Sequence, residues 1–97
     1  MHIHDISFSN TFWTDWESTP EKIQTRFNKT IKLIALTREF LPSAQAHKIK
    51  DSPSGLWIAY VSVGKNSWRF LFSISSSGTL VVERIMSHNS MDLYLRK

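Results

Sequence analysis

The chain contains no cysteine, only three glycines and three prolines, and no long apolar run. Without cysteine there is no disulfide framework, no thiolate zinc site and no iron–sulfur cluster. The longest uninterrupted apolar stretch, Leu56 to Val61, falls far below the ~18 residues that a membrane span needs. The opening, Met1-His2-Ile3-His4-Asp5, has no basic region followed by an apolar one, so no secretory signal is expected. A cytoplasmic setting without a membrane partner is the consequence. No glycine-rich phosphate loop, internal repeat or low-complexity tract is present. What remains is a 97-residue chain with a 41% hydrophobic share, four tryptophans and six phenylalanines. That is ordinary for a globule, and residues 1–97 are expected to form one domain whose core leans on aromatic rings.

Charge is unevenly distributed. Residues 1–44 hold five bases and five acids, whereas residues 45–97 hold seven bases and three acids. The whole formal excess of +4 therefore belongs to the second half, which also carries His47 and His88. Such a surface attracts polyanions, nucleic acid among them; the plainer reading is solubility alone.

Periodicity gives the elements. His4, Ile6 and Phe8 alternate along a strand over His2 to Phe8. Ser9 or Asn10 can cap a short helix through Trp13 and Trp16. A second helix start lies in Ser18-Thr19-Pro20-Glu21, as a capping box from Ser18 to Glu21 or as a Thr19 cap before Pro20. Ile23, Phe27, Ile31 and Ile34 form its apolar stripe, widened by Leu33, Leu36 and Phe40, and Leu41-Pro42 closes it. Pro42 to Gly55 reads as a loop. Three strands follow, Leu56–Val63, Trp68–Ile74 and Thr79–Met86, with turns at Gly64-Lys65-Asn66 and Ser75–Gly78. Trp68, Phe70, Phe72 and Ile74 share one face, while Arg69, Leu71 and Ser73 share the other. A short tail ends the chain. The expected fold class is α+β, an N-terminal strand and two helices packed on a mainly antiparallel sheet whose second face stays partly open.

Few residues carry candidate chemistry. His88, Ser90 and Asp92 are triad types, yet five consecutive positions do not reach relay geometry. His2 and His4 share a strand face, but two ligands near a terminus make a poor metal site, and no metal is expected. Arg69 points away from the aromatic face, and Arg84 and His88 share a parity with Leu80, Val82 and Met86 if the last strand continues that far. Cleaving RNA through its 2′-hydroxyl needs a base, an acid and a cation for the developing phosphorane charge. Arg69 suits the cation role, His88 suits proton transfer, and Tyr94 can donate a hydrogen bond or stack on a base. The plainer reading makes Arg69 and Arg84 solvated sheet charges and His88 a turn residue.

Nearly the full chain resembles the RelE/ParE superfamily of toxins from bacterial type II toxin–antitoxin systems. The matching segments are Ile6-Ser7-Phe8-Ser9, Pro20-Glu21-Lys22-Ile23, Gly55-Leu56-Trp57 and Ser67-Trp68-Arg69-Phe70-Leu71-Phe72. The end, Glu83-Arg84-Ile85-Met86-Ser87-His88 with Asp92-Leu93-Tyr94, is similar to the family's terminal strand, basic or histidine position and closing tyrosine. The resemblance implies a RelE-like fold and a ribonuclease that cuts messenger RNA on the ribosome without a cofactor, neutralised by a cognate antitoxin. By the same resemblance Arg69, His88, Tyr94 and a loop histidine, His47, form the catalytic set. Lys48, Lys50, Lys65, Arg84 and Arg96 supply the surface expected to hold RNA. Ile58 and Tyr60 stand where some members carry catalytic lysines, which argues against a lysine-based mechanism. The alternatives are a toxin of the same fold that inhibits DNA gyrase without cutting, and an inactive RNA-binding scaffold.

Overall fold

The computed structural model of the chain describes residues 3–39, 46–50, 55–62 and 67–96. His2, the Leu41-Pro42 helix stop and the Gly64-Lys65-Asn66 turn lie outside them. Strand β1 (Asp5–Phe8) leads into helix α1 (Asn10–Glu17), which Ser9 caps by accepting the Phe12 N–H at 3.1 Å. Helix α2 (Glu21–Thr37) starts one residue after Pro20 and has no side-chain cap. Neither expected capping frame operates there: the Ser18 and Thr19 hydroxyls instead donate back to the Asp15 carbonyl and close α1. Helix α2 also stops before its proline. Arg38 adopts φ 64°, its N–H donates to the Ile34 carbonyl, and its own carbonyl accepts the Ile3 N–H at 2.9 Å. The helix end is thus tied to the start of the chain.

Strands β2 (His47–Lys48), β3 (Trp57–Tyr60), β4 (Trp68–Ile74) and β5 (Thr79–Ser87) follow, then helix α3 (His88–Leu95). The sheet order is β1-β5-β4-β3-β2, antiparallel throughout except where β1 runs parallel to β5. A parallel pair requires a crossover, and α1, α2 and the meander provide it. The result is an α+β fold on a mixed five-stranded sheet. Among the described residues no helix is long and apolar enough to cross a membrane.

The helix-packed face follows the sequence pattern closely. Trp68, Phe70, Phe72 and Ile74 all join the main core, with Phe70 and Phe72 fully buried, against Ile23, Phe27, Ile31 and Ile34. Phe8, Phe12, Phe27 and Phe70 form a continuous file of rings with centroids 5.0 to 5.3 Å apart. Leu33 and Leu36 do not widen the stripe; both are exposed, Leu36 by 75%.

The other face departs from expectation in three ways. First, β2 occupies part of the segment read as loop, its period-two signal too short to register. Second, the tail is helix α3, and its Met91 is fully buried on Ile58, Leu71 and Met86, so α3 covers part of this face. Third, β5 contains a bulge. Val82 stands opposite Phe72 and Arg84 opposite Leu71, which leaves Glu83 as an extra residue. The bulge shifts the strand's parity. Leu80, Val82 and Ile85 enter the main core, whereas Arg84 and Met86 turn to the α3 side. The single parity assigned to Leu80, Val82, Arg84 and Met86 is therefore wrong, because one inserted residue inverts everything after it.

Candidate functional site

Cross-strand register collects the candidate residues on the α3 face. One row runs His47, Ile58, Leu71, Arg84, and the adjacent row runs Tyr60, Arg69, Met86. Residues directly opposite one another share a face, so His47, Arg69 and Arg84 all look to the same side of the sheet. They share a face and not an edge: Arg69 belongs to the interior strand β4.

The guanidinium carbon of Arg69 lies 4.5 Å from the centroid of the Tyr60 ring. This stacking holds a long side chain flat against the strand without using its hydrogen-bond donors. The Arg69 Nε is buried with no partner among the described residues. His88 is the first residue of α3, not part of the strand. Its N–H donates to the Ser67 carbonyl at 2.8 Å, and Ser87 caps the helix by accepting from the Ser90 N–H. On the ring, Nε2 lies 3.4 Å from Asp92 Oδ2, while Nδ1 is buried and unpartnered among the described residues. Trp68 pairs with Ser87 and Arg69 with Met86, so Arg69 and His88 belong to the same end of the sheet. Buried polar atoms nearly always have partners, and at this end of the sheet these two have none among the described residues.

Arg84 has a different occupation. It makes a two-pronged pair with Asp15, Nε to Oδ2 at 2.7 Å and Nη2 to Oδ1 at 2.8 Å. Asp15 Oδ2 also accepts the Ile85 N–H at 3.1 Å, and the Ser9 hydroxyl donates to the Glu83 carbonyl at 2.8 Å. Helix α1 thereby satisfies the two backbone groups that the bulge takes out of the ladder. Hydrogen bonding to Asp15 raises the Arg84 pKa above its ordinary value, so the guanidinium stays charged and neutralised in place. Its guanidinium carbon lies 4.8 Å from the centroid of the Tyr94 ring. A cleft of about 220 Å³ opens beside this ring, lined by Thr11, Leu56, Leu71, Ser73, Glu83, Arg84 and Tyr94.

The other basic residues are dispersed. Lys48 pairs with Trp57 and so takes the opposite face from His47, Lys50 lies exposed beyond β2, and exposed Arg96 caps the end of α3. Lys65 lies outside the described residues. Among the described residues no three histidine, aspartate or glutamate side chains come together as a metal site. Sequence reading missed Asp15, Tyr60 and Glu83. Asp15 and Arg84 are 69 positions apart, and nothing local in the chain announces their pairing.

No protein-family model and no curated protein sequence matches the chain. Solved structures do. The RelB–RelE antitoxin–toxin complex from Methanococcus jannaschii contains a chain that superposes with a TM-score of 0.72 at 20% identity, covering 90% of this chain and 95% of that one. A chain of the DinJ–YafQ toxin–antitoxin complex from E. coli gives 0.70 at 19% identity, covering 91% and 96%. The YoeB/ParE toxin from Agrobacterium tumefaciens gives 0.65 at 20% identity, covering 88% and 99%. The chain is similar to these along most of its length and has the RelE-like toxin fold.

Proposed function

We propose that this chain, having the fold of RelE-type toxins, is itself the toxin of a type II toxin–antitoxin pair and arrests translation by cutting messenger RNA. The observation that carries the reading is the pair of buried nitrogens, Arg69 Nε and His88 Nδ1, which have no partner among the described residues and lie at one end of the sheet. A permanent cation and a titratable imidazole are the two groups that 2′-hydroxyl chemistry needs most. In the proposed reaction His88 takes the proton of the 2′-hydroxyl, whose oxygen attacks phosphorus. Arg69 offsets the charge that grows on the phosphorane oxygens. The 5′-oxygen leaves with a proton from protonated His47, which faces the same side from β2. Tyr94, held by Arg84, stacks on or hydrogen-bonds the substrate. The products are a 2′,3′-cyclic phosphate and a 5′-hydroxyl, and every proton is accounted for without a cofactor.

The partner proposed is a cognate antitoxin, supported by neighbours that are themselves toxin–antitoxin complexes. Exposed Leu93 and Leu95 on α3, beside Tyr94, offer apolar surface next to the cleft for such a partner to cover. The test is inducible expression with and without each adjacent small reading frame, following growth, amino-acid incorporation and DNA supercoiling. The reading predicts loss of incorporation with supercoiling intact, relieved by one neighbour. Collapse of supercoiling with messages uncut would instead identify the gyrase-directed alternative. Messages bound and uncut, with growth unaffected, would identify the inactive scaffold.

A further inference from the structure

We propose that Glu83 is a base-selecting group and that the cleft beside Tyr94 takes a nucleobase with adjacent N–H donors, guanine before the others, rather than a phosphate. The inference rests on the ribonuclease reading above and names what this part of the site distinguishes.

Two consecutive residues, Glu83 and Arg84, line the same cleft. An unbroken strand would send them to opposite faces, and the bulge at Glu83 removes that constraint. The bulge is held on both sides, by Ser9 on the Glu83 carbonyl at 2.8 Å and by Asp15 on the Ile85 N–H at 3.1 Å. Glu83 is therefore aimed by a braced piece of backbone.

Charge decides what the cleft accepts. The Arg84 guanidinium is spent on Asp15 through two short hydrogen bonds. The Glu83 carboxylate has no hydrogen-bond or ion-pair partner among the described residues. The unneutralised charge in the cleft wall is thus negative, which repels phosphate and leaves a carboxylate, an acceptor only, to be satisfied by donors. The remaining walls suit a flat heterocycle. Leu56 and Leu71 are apolar, and the Tyr94 ring, 36% exposed, has Arg84 stacked on it and is presented as a surface for stacking.

The bases differ in what they offer a carboxylate. Guanine presents N1–H and the 2-amino group side by side, two donors for two oxygens. Adenine and cytosine place a ring acceptor next to the amino group, which sets lone pair against lone pair. Uracil flanks its one donor with two carbonyls. Guanine alone pays no repulsion at this edge.

The experiment uses the purified full chain and short 2′-O-methyl oligouridylates carrying one central guanine, inosine, adenine or cytosine, which cannot be cut because the nucleophile is blocked. Affinities come from fluorescence polarisation, with the all-uridine strand as the common reference. The wild type should bind the guanine strand about tenfold more tightly than the adenine strand, with inosine between them because it lacks the 2-amino group. Glu83→Gln and Glu83→Ala, which leave the backbone bonds of the bulge in place, should bring the guanine-to-adenine ratio close to one. Equal affinity for all strands in the wild type, or a ratio unchanged in both variants, overturns the assignment of Glu83 while leaving the ribonuclease reading standing. Failure to bind any strand overturns the assignment of Glu83 and leaves the ribonuclease reading to message cutting during translation, where the ribosome presents the substrate.

Discussion

The two faces of the sheet are made of the same strands and obey different rules. The helix-packed face is apolar throughout, joined by rings that touch in file from Phe8 to Phe70, and nearly every contact is set by spacing along the chain. The α3 face mixes a small apolar cluster around Met91 with an ion pair, a bulge, two stacked arginines and two unpartnered nitrogens. Non-directional burial builds the first face and tolerates imprecision; directional bonds build the second and do not. The molecule thus keeps its main apolar core on one side and its directional polar contacts on the other.

If that division holds, substitutions should separate cleanly by face. The largest stability loss belongs to the packed side: Phe70→Ala should cost about 3–5 kcal/mol by denaturant unfolding, since the ring is fully buried among other rings. A loss below about 1 kcal/mol would mean that the face is not a continuous core. Next comes Asp15→Ala, which strands Arg84 and the Ile85 N–H together. A fully buried pair would cost more, but Asp15 and Arg84 retain 12% and 23% of their side-chain exposure, so about 2–3 kcal/mol is expected. Its sharper signature is loss of amide protection at Ile85 by hydrogen exchange with the Phe70 region unaffected; uniform loss across both faces would break the comparison. Smallest is Ser9→Ala, at about 1 kcal/mol, which removes both the α1 cap and the partner of the Glu83 carbonyl. A change of melting temperature no different from that of an exposed Ser77→Ala would show that the bulge needs no brace.

The same division explains what could be read from the chain. The α2 stripe through Ile23, Phe27, Ile31 and Ile34 and the β4 alternation through Trp68, Phe70, Phe72 and Ile74 are periodic, and periodicity is visible in one dimension. The bulge is not, because Val82-Glu83-Arg84-Ile85 reads as ordinary strand until a partner strand fixes the register. Helix α3 was concealed for another reason. It buries one residue, Met91, in two turns and leaves Leu93 and Leu95 exposed. The candidate residues fared in the same way. Arg69 could be placed by strand alternation, and Tyr60 beneath it could not, since their meeting depends on β3 and β4 pairing. From sequence Arg84 reads as a group for RNA, and a partner 69 positions away in α1 already holds it.

The central claim of the proposed function is that Arg69 and His88, at one end of the sheet, act as the reacting pair. It is tested most directly by primer extension on messages in a reconstituted translation reaction, comparing the wild type with Arg69→Ala and His88→Ala. The account predicts discrete cuts by the wild type in the presence of EDTA, with fragments ending in a cyclic phosphate. Arg69→Ala should slow cutting by roughly 10²–10³ with RNA affinity little changed, because its charge is used in the transition state. His88→Ala should slow it by about 10²–10⁴ and alter the pH profile. Cuts that persist unchanged in both folded variants would contradict the account.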